Sequence, residues 1–537
     1  MAPPAAFAQV GLNQADPSIV VRSLPKPPQP VGEPDTTLLV GPTISSQVSK
    51  EELPRVASSI LIVGAAEIPR SAFADAIVPY IGRDLTNSDL TKLATEIAAK
   101  ARSEGYPLAN AWVERQIIGD GILRVRLDAG MLSAVRVIGA NNALADRILT
   151  RALVTGRPVR RDTLERAILL VGDIPGVSVV ESRYIHQDGF GILLVTIKRD
   201  WFGAYAQIDN RGSTEVGPIR STVLGSLRGI VQPGDELGLI SAQTPFQPSE
   251  FFFVRGRYTS PLSAAGTTLS VSGSYGRAHP GASLLPLRVI GESVDGSLGL
   301  SMPLIRAQRK SVWATLEVRA LRSHQTLLGS DLRDDRLATL TGALNGNSRV
   351  GPGVLRGSVA LVAGLPVPGV THEGDLRTSR SDGDARFLTV TYDLEWVAPI
   401  ASRFSLALSS QAQIASRPLL ATMEIGVGGP SFGRGYDYAE RTGDDGILGG
   451  AELRMNLGRV VRKVIDRAQI YGAVDGGYVG NLRNGSGGGT LLSTAAGLRL
   501  GRGRLDGMLE VALPLNQDRF DTKNRQPRIS FRLSRVF

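Results

Sequence analysis

A single arginine in a glycine-rich segment has the clearest potential for a functional contact. Residues 428–436, GGPSFGRGY, contain too many glycines and a proline for a strand, so they predict a long connection. A carboxylate follows in residues 473–477, AVDGG, where Asp475 has the opposite strand parity to Ile470, Val474 and Tyr478. If the connection folds inward, Arg434 and Asp475 form a partly buried ion pair that fixes it. The alternative is a solvated arginine and an ordinary wall carboxylate.

The same segment also fits G-x-S-x-G, the nucleophile elbow of hydrolases, at residues 429–433. That elbow needs a strand before the serine and a helix after it, whereas Pro430 precedes Ser431 and no helical pattern follows. The four histidines are widely separated in the chain: His186, His279, His324 and His372. We therefore expect no catalytic residue, no metal site and no cofactor.

The elements that must position Arg434 and Asp475 are strands. From Trp201 onward, roughly sixteen segments of about ten residues alternate apolar and polar positions, which is the pattern of an outer-membrane β-barrel. Residues 312–320 illustrate it, because Val312, Ala314, Leu316, Val318 and Ala320 alternate with polar and aromatic residues. Alternation alone also fits a soluble sandwich with its faces reversed. Residues 201–537 divide into units of about 21 residues, enough for a spanning strand and its connection, and this favours a barrel of about sixteen strands.

Two small α/β repeats precede the barrel. The run IVGA at residues 62–65 recurs as VIGA at residues 137–140, so the repeat is about 75 residues long. Helical spacing predicts one helix from Ser88 to Glu104 and another from Arg161 to Val171, each within the order strand, helix, helix, strand, strand. A three-stranded sheet of this kind has an edge strand that can bind another chain by backbone pairing. The alternative is a pair of purely structural spacers.

Composition bounds the class of protein. The chain has 537 residues, no cysteine, 42% hydrophobic residues and a net charge of +10. It is too apolar for a disordered chain and contains no run of 18 apolar residues that would predict a membrane helix. The absence of cysteine excludes a disulfide scaffold and fits folding in an oxidising compartment. Basic residues are dispersed rather than clustered with aromatics, so we expect no nucleic-acid partner.

The first 56 residues are predicted to be a segment outside the folded units. Residues 6–8, AFA, have the small-x-small form of an export cleavage site, which indicates a secreted chain whose leader is shortened or replaced by Met1. Residues 24–34, LPKPPQPVGEP, predict an extended proline-rich spacer. The expected domains are therefore residues 1–56, 57–132, 133–200 and 201–537.

These features together resemble the two-partner secretion transporters of the haemolysin secretion/activation family, in the superfamily that joins POTRA domains to a barrel. The resemblance covers residues 57–537 and rests on the RGY run, the DxG strand, the opening run DNRG at residues 209–212 and the terminal Phe537. It implies that an arginine of the inward-folded sixth extracellular loop pairs with the barrel wall. The loop motif then comprises Gly433, Arg434, Gly435 and Tyr436, and the wall partner comprises Asp475 and Gly477. The family usually has valine before the arginine, where this chain has Gly433.

The resemblance also implies location and partners. We expect a monomeric barrel in the bacterial outer membrane with periplasmic POTRA domains, exporting a large exoprotein that carries an N-terminal secretion domain. The last strand, with Phe531, Leu533 and Phe537, is expected to address the chain to the outer-membrane barrel-assembly machinery and then to face lipid. Alternatives are an insertase of the same superfamily, which generally has three or more POTRA repeats, a passive porin, and a structural anchor. Residues 9–23 do not predict the long charged plug helix that many family members carry.

Overall fold

The computed structural model describes residues 12–13, 15–24, 56–114, 116, 121–187, 190–460 and 464–537. The predicted cleavage site at residues 6–8 and nearly all of the proline-rich segment lie outside the described residues. Among the described helices, none combines the length and the apolar character needed to cross a membrane. The helices are Pro17–Val20 (α1), Ala74–Ile77 (α2), Asn87–Ser103 (α3), Ala143–Leu153 (α4) and Arg161–Gly172 (α5), with 3-10 turns at Val21–Ser23, Arg70–Phe73, Val78–Tyr80, Ala282–Leu287 and Ala421–Met423.

Two α/β units precede the barrel in the described chain. The first contains the strands Ser59–Val63 (β1), Asn110–Trp112 (β2) and Ile122–Asp128 (β3), which pair in the order β1-β3-β2. The second contains Ala134–Ile138 (β4), Val177–Gln187 (β5) and Phe190–Arg199 (β6), in the order β4-β6-β5. In both units the outer strands each have one edge unpaired within their three-stranded sheet.

The long helix α3 begins one residue earlier than predicted. Its N-cap is Thr86, whose hydroxyl accepts from the Asp89 backbone N–H while the Asp89 carboxylate accepts from the Thr86 N–H. This reciprocal capping satisfies two of the free N–H groups at the helix start, so Ser88 is not needed as a cap. The buried face of α3 consists of Leu93, Ala94, Ile97, Ala98 and Ala101.

Sixteen strands of the described chain close into an antiparallel barrel, as the alternation predicted. They are Phe202–Asp209 (β7), Arg220–Arg228 (β8), Glu236–Gln243 (β9), Phe251–Pro261 (β10), Thr268–Ala278 (β11), Ile290–Arg306 (β12), Lys310–Leu327 (β13), Ser330–Val350 (β14), Gly353–Gly364 (β15), Leu388–Pro399 (β16), Phe404–Ala415 (β17), Asp445–Gly458 (β20), Arg467–Gly480 (β21), Gly489–Arg502 (β22), Leu505–Pro514 (β23) and Arg528–Val536 (β24). The barrel closes where β24 pairs with β7.

The two faces of the barrel strands differ in polarity. On β13, Leu316 and Val318 are exposed on the outer surface, whereas Arg319 points inward and pairs with Asp295 of β12 at 3.2 Å. An apolar outer face and a charged inner face are what a lipid-embedded barrel requires, and they exclude the reversed arrangement of a soluble sandwich.

The second α/β unit docks on the end of the barrel at which β7 begins. Arg306, at the end of β12, donates two hydrogen bonds of 2.7 Å to the carboxylate of Asp173, the residue that caps α5. Arg166 of α5 adds a hydrogen bond of 3.0 Å to the Pro303 carbonyl. The side chain of Arg306 is nearly fully buried. A bidentate, buried pair of this kind holds its partners in one relative orientation.

Residues 15–24 lie inside the barrel, although they form no long charged helix of the kind that the sequence failed to predict in residues 9–23. Helix α1 and the following 3-10 turn are short, and Asp16 caps them by accepting from the Ser18 N–H. The other carboxylate oxygen of Asp16 accepts from Ser323 of β13 at 2.6 Å, and Arg220 of β8 donates to the Ser23 hydroxyl at 2.7 Å. The segment is held by side-chain bonds to the wall rather than by helix length, so helical periodicity gave no signal.

Candidate functional site

The connection between β17 and β20, residues 416–444, folds into the barrel lumen; we call it loop 6. Its middle forms a small hairpin from the strands Ile425–Val427 (β18) and Arg441–Gly443 (β19). At the turn, Gly428 donates to the Phe432 carbonyl at 2.9 Å and Gly429 to the Gly433 carbonyl at 3.2 Å. This tight backbone carries Arg434 at the inner end of the loop.

The structure brings Arg434 and Asp475 together. Arg434 Nε lies 3.0 Å from Asp475 Oδ2, as an ion pair without hydrogen-bond alignment. The second carboxylate oxygen, Oδ1, accepts from the backbone N–H groups of Gly433 at 2.6 Å and Arg434 at 3.0 Å, and from the Ser493 hydroxyl at 2.7 Å. The Asp475 carboxylate therefore binds both the Arg434 side chain and the backbone of the loop. The Asp475 side chain is 1% exposed, so water competes little for these contacts.

Two further carboxylates complete the site, and neither was among the predicted site residues. Arg434 Nη1 donates to Glu452 Oε2 at 2.8 Å and to Glu510 Oε2 at 3.2 Å. Glu452 lies on β20 and Glu510 on β23, at inward-facing positions flanked by lipid-facing leucines, Leu453 and Leu509. A charged residue at inward parity is the sequence signal that could have found them. Many lumen positions carry charge, however, so parity alone does not select these two.

Other cations share these carboxylates. Arg499 donates to both oxygens of Glu452, at 2.8 and 3.0 Å, and its guanidinium stacks 3.9 Å from the centre of the Tyr471 ring. The Tyr471 hydroxyl donates to Glu510 at 2.7 Å, and Arg211 forms a short hydrogen bond to the same carboxylate. The negative charges of the three carboxylates thus remain partly compensated by groups outside loop 6. Arg434 is the group by which loop 6 joins the network.

The remaining predicted loop residues have structural roles. Gly433 has φ of +82°, a conformation that a β-branched valine strongly disfavours. This explains why the loop has glycine there, where the resemblance led us to expect valine. A Cβ on Gly435 would lie 2.8 Å from the Pro514 backbone nitrogen, so the loop backbone approaches β23 closely. Tyr436 is fully buried, and its hydroxyl donates to Asn516 at 3.1 Å.

On the wall, Gly477 faces Leu448 of β20, where a Cβ would lie 2.4 Å from a leucine methyl. At the other end of the chain, Phe531, Leu533 and Phe537 are exposed on the outer surface of the barrel. Phe537 also closes the barrel, because its N–H donates to the Ala204 carbonyl at 2.9 Å. These three aromatic and aliphatic side chains therefore lie where lipid contacts the last strand.

Loop 6 also contacts the amino-terminal residues in the lumen, 12–13 and 15–24, which we call the plug segment. Arg22 donates to the Glu424 carbonyl at 2.9 Å, and Asn13 lies 3.5 Å from the Thr442 hydroxyl. Ile19 packs against Ala421 and Ala439. Two segments that do not belong to the wall therefore occupy the lumen and support each other.

A lipid-embedded barrel with a polar, occupied lumen and α/β units at one mouth defines an outer-membrane protein of the POTRA–barrel class. The first unit matches the model of the ShlB-type POTRA domain over residues 56–130. The chain belongs to the haemolysin secretion/activation protein family ShlB/FhaC/HecB, whose model matches residues 191–500. It is an outer-membrane transporter of two-partner secretion, and its POTRA region lies in the periplasm.

Curated relatives share low identity over most of the chain. The heme/hemopexin transporter protein HuxB of Haemophilus influenzae strain 86-028NP is 23% identical over 447 residues, which are 80% of this chain and 78% of the relative. The outer membrane transporter CdiB of Escherichia coli strain 536 is 23% identical over 484 residues, 85% of this chain and 78% of the relative.

Solved structures share the fold. The structure of CdiB from Escherichia coli matches with a TM-score of 0.71 at 19% identity. The match covers 100% of this chain and 99% of the CdiB chain. BamA from Haemophilus ducreyi, lacking its POTRA domains 1–3, matches with a TM-score of 0.55 at 13% identity and covers 90% of this chain. These two matches show that the chain shares its fold with both solved structures.

Proposed function

We propose that this transporter moves its partner exoprotein through the barrel by displacing two lumenal segments, loop 6 and residues 15–24. The observation that carries the proposal is the Arg434 contact, because one side chain joins loop 6 to carboxylates on three different strands. A loop held by ion pairs on a polar wall can be released without unfolding the barrel, since the wall carboxylates keep other partners. The occupied lumen argues against a passive porin.

Capture of the partner is proposed to occur on the α/β units by addition of a strand. The outer strands β1 and β5 each have an edge that is unpaired within their sheets, and an extended segment of unfolded exoprotein can pair there through backbone hydrogen bonds. In support, the docked second unit places β5 at a fixed orientation next to the barrel mouth. We propose the domain limits 57–132 and 133–200 for these units.

The proposal extends to assembly and chemistry. Phe531, Leu533 and Phe537 present the apolar face of the last strand for recognition by the barrel-assembly machinery. The chain acts as a monomer, and it moves its partner without catalysing a reaction on it, so that folding of the exoprotein outside the cell gives export its direction. A Walker-type phosphate loop, G-x-x-x-x-G-K, is absent from the sequence.

The test is co-expression with a candidate exoprotein that carries an N-terminal secretion domain. We expect the exoprotein at the cell surface or in the medium only when the transporter is present. Deletion of residues 57–132 should abolish binding of the exoprotein's amino-terminal domain in a pull-down while the barrel still assembles. The matched control is Lys100→Ala, which removes an exposed ion pair of α3 away from the sheet edge. Full binding by the deletion variant would contradict capture by the first unit.

A further inference from the structure

A second arginine contacts loop 6 at its base, where the loop joins the barrel wall. The connection between β15 and β16, residues 365–387, is here called loop 5, and the connection between β21 and β22, residues 481–488, is called loop 7. Both lie at the same end of the barrel as the base of loop 6. Arg380 of loop 5 extends between the other two loops, and its side chain is only 6% exposed. We propose that Arg380 is a positioning residue that locks the base of loop 6 and so controls when the loop leaves the lumen; this rests on the function proposed above.

The contacts of Arg380 reach both loops. Its Nη1 donates to Asp444 Oδ2 at 2.7 Å, at the end of loop 6, and to Asn481 Oδ1 of loop 7 at 3.2 Å. Its Nη2 forms a short hydrogen bond to the Leu482 carbonyl of loop 7. Nε donates to Asp382 of its own loop at 2.6 Å, which orients the guanidinium. One planar fork thus joins three loops, a geometry that lysine cannot reproduce.

Asp444 connects Arg380 to the backbone of loop 6 and of loop 7. It is fully buried, and its Oδ1 accepts from the Leu419 N–H at 2.7 Å, where loop 6 leaves β17. Its Oδ2 also accepts from the Leu482 N–H at 2.7 Å. Asp444 therefore ties the two ends of loop 6 together, and Arg380 compensates its buried charge.

A second carboxylate of loop 6 depends on the same arginine. Glu424 is buried, and its Oε1 lies 3.6 Å from Arg380 Nη1. Burial raises the pKa of Glu424 to about 7. Loop 5 is itself anchored by an apolar cluster that joins its Val370 and Phe387 to Leu321 of β13 and Leu337 of β14, and that also includes Leu419 and Leu420 of loop 6. Loop 5 is thus a fixed base from which Arg380 acts, while Arg434 holds the inner end of loop 6.

The two arginines therefore restrain loop 6 at opposite ends. Arg434 acts at the inner end, where the buried pair of Arg528 and Asp437 also holds the loop to β24, and Arg380 acts at the base together with Asp444. Export requires both to be released, so loss of Arg380 lowers the barrier to movement of loop 6 without changing the barrel wall. This separates a positioning role from a folding role.

The experiment compares Arg380→Ala, Arg380→Lys and a control in the purified full-length protein, without exoprotein. Hydrogen exchange of loop 6 and loop 7 amides is measured by mass spectrometry, and ion conductance is measured in planar lipid bilayers. The control is Arg483→Ala, which removes an ion pair of 2.8 Å with Glu373 that also joins loop 7 to loop 5 but is about half exposed. Exposed pairs of this kind contribute little to stability.

In Arg380→Ala we expect exchange of the amides around residues 419–424 and 482 to accelerate roughly 10- to 100-fold, with unchanged exchange in the barrel strands and more frequent conductance steps. In Arg380→Lys, which keeps the charge near Asp444, we expect protection to be retained in loop 6 and lost in loop 7. Arg483→Ala should behave as the unaltered protein.

Three outcomes would overturn the proposal: native exchange in loop 6 of Arg380→Ala, acceleration spread evenly through the barrel strands, or failure of both Arg380 variants to form a heat-modifiable barrel. The last would make Arg380 a folding residue. None of these measurements depends on export. If the unaltered transporter exports no exoprotein while the exchange pattern is as expected, the proposed function is wrong, but the inference that Arg380 holds the base of loop 6 still stands.

Discussion

Replacement of Arg434 by alanine tests the role of loop 6 most directly. The change removes the contacts to Asp475, Glu452 and Glu510 at 3.0, 2.8 and 3.2 Å. Removing one partner of a buried ion pair typically costs about 3–5 kcal/mol. We expect the lower end of this range, because each carboxylate keeps another donor: Ser493 for Asp475, Arg499 for Glu452 and Tyr471 for Glu510.

A loss of about 3 kcal/mol shifts the balance between the inserted and the released loop by roughly 100-fold. We expect Arg434→Ala to reach the outer membrane in normal amount, to show much larger or more frequent conductance, and to lose most of its export, because the loop no longer returns to one defined position. Arg434→Lys should be intermediate, since a single ammonium cannot reach three carboxylates at once.

Export is measured as exoprotein in the medium relative to barrel in the membrane, with heat-modifiable migration as the assembly check. The matched control is Arg454→Ala, because Arg454 donates to the same Glu452 at 2.6 Å but belongs to the wall strand β20. Undiminished export by Arg434→Ala, or equal losses in the two variants, would refute the reasoning that the loop contact itself matters.

Three further predictions follow from individual contacts. Arg306→Ala should release the second α/β unit from the barrel, seen as a broader range of interdomain distances by pulsed EPR, and an unchanged distribution would contradict the docking role of the Asp173 pair. Gly435→Ala should weaken loop insertion and increase conductance, because its Cβ would meet backbone at 2.8 Å; normal conductance would argue against close packing. Burial and a neighbouring carboxylate raise the pKa of Glu440 in loop 6 to about 8 from 4.5, so its stabilising contribution is complete below about pH 4.5 and is lost as pH rises through about 8. Amide exchange in loop 6, corrected for its intrinsic pH dependence, should accelerate as the pH rises from about 4.5 to about 8, level off above that, and lose this dependence in Glu440→Gln; a pH-independent rate in the unaltered protein would contradict it.

Part of the site was predictable because strand parity is a local property. The inward position of Asp475 follows from the two-residue period of its own strand, and the glycines and proline of residues 428–436 exclude a strand there. The partners Glu452 and Glu510 were not predicted as site residues, because their relation to Arg434 depends on which wall strands surround the inserted loop. The register of β20 against β21 and of β22 against β23 sets those distances, and no local pattern encodes register across a closed barrel.

The plug segment shows the same limit. Residues 15–24 lack the periodicity of a long amphipathic helix, and their position in the lumen depends on single side-chain bonds such as Asp16 with Ser323. The sequence by itself determined the barrel, its sixteen strands, the α/β repeats and the arginine loop, because alternation, repeat length and glycine content each act over short stretches of chain. Only the tertiary structure decided which carboxylates pair with Arg434, which segments fill the lumen and which loop contacts the base of loop 6. Those contacts join residues that are far apart in sequence and meet only when the barrel closes.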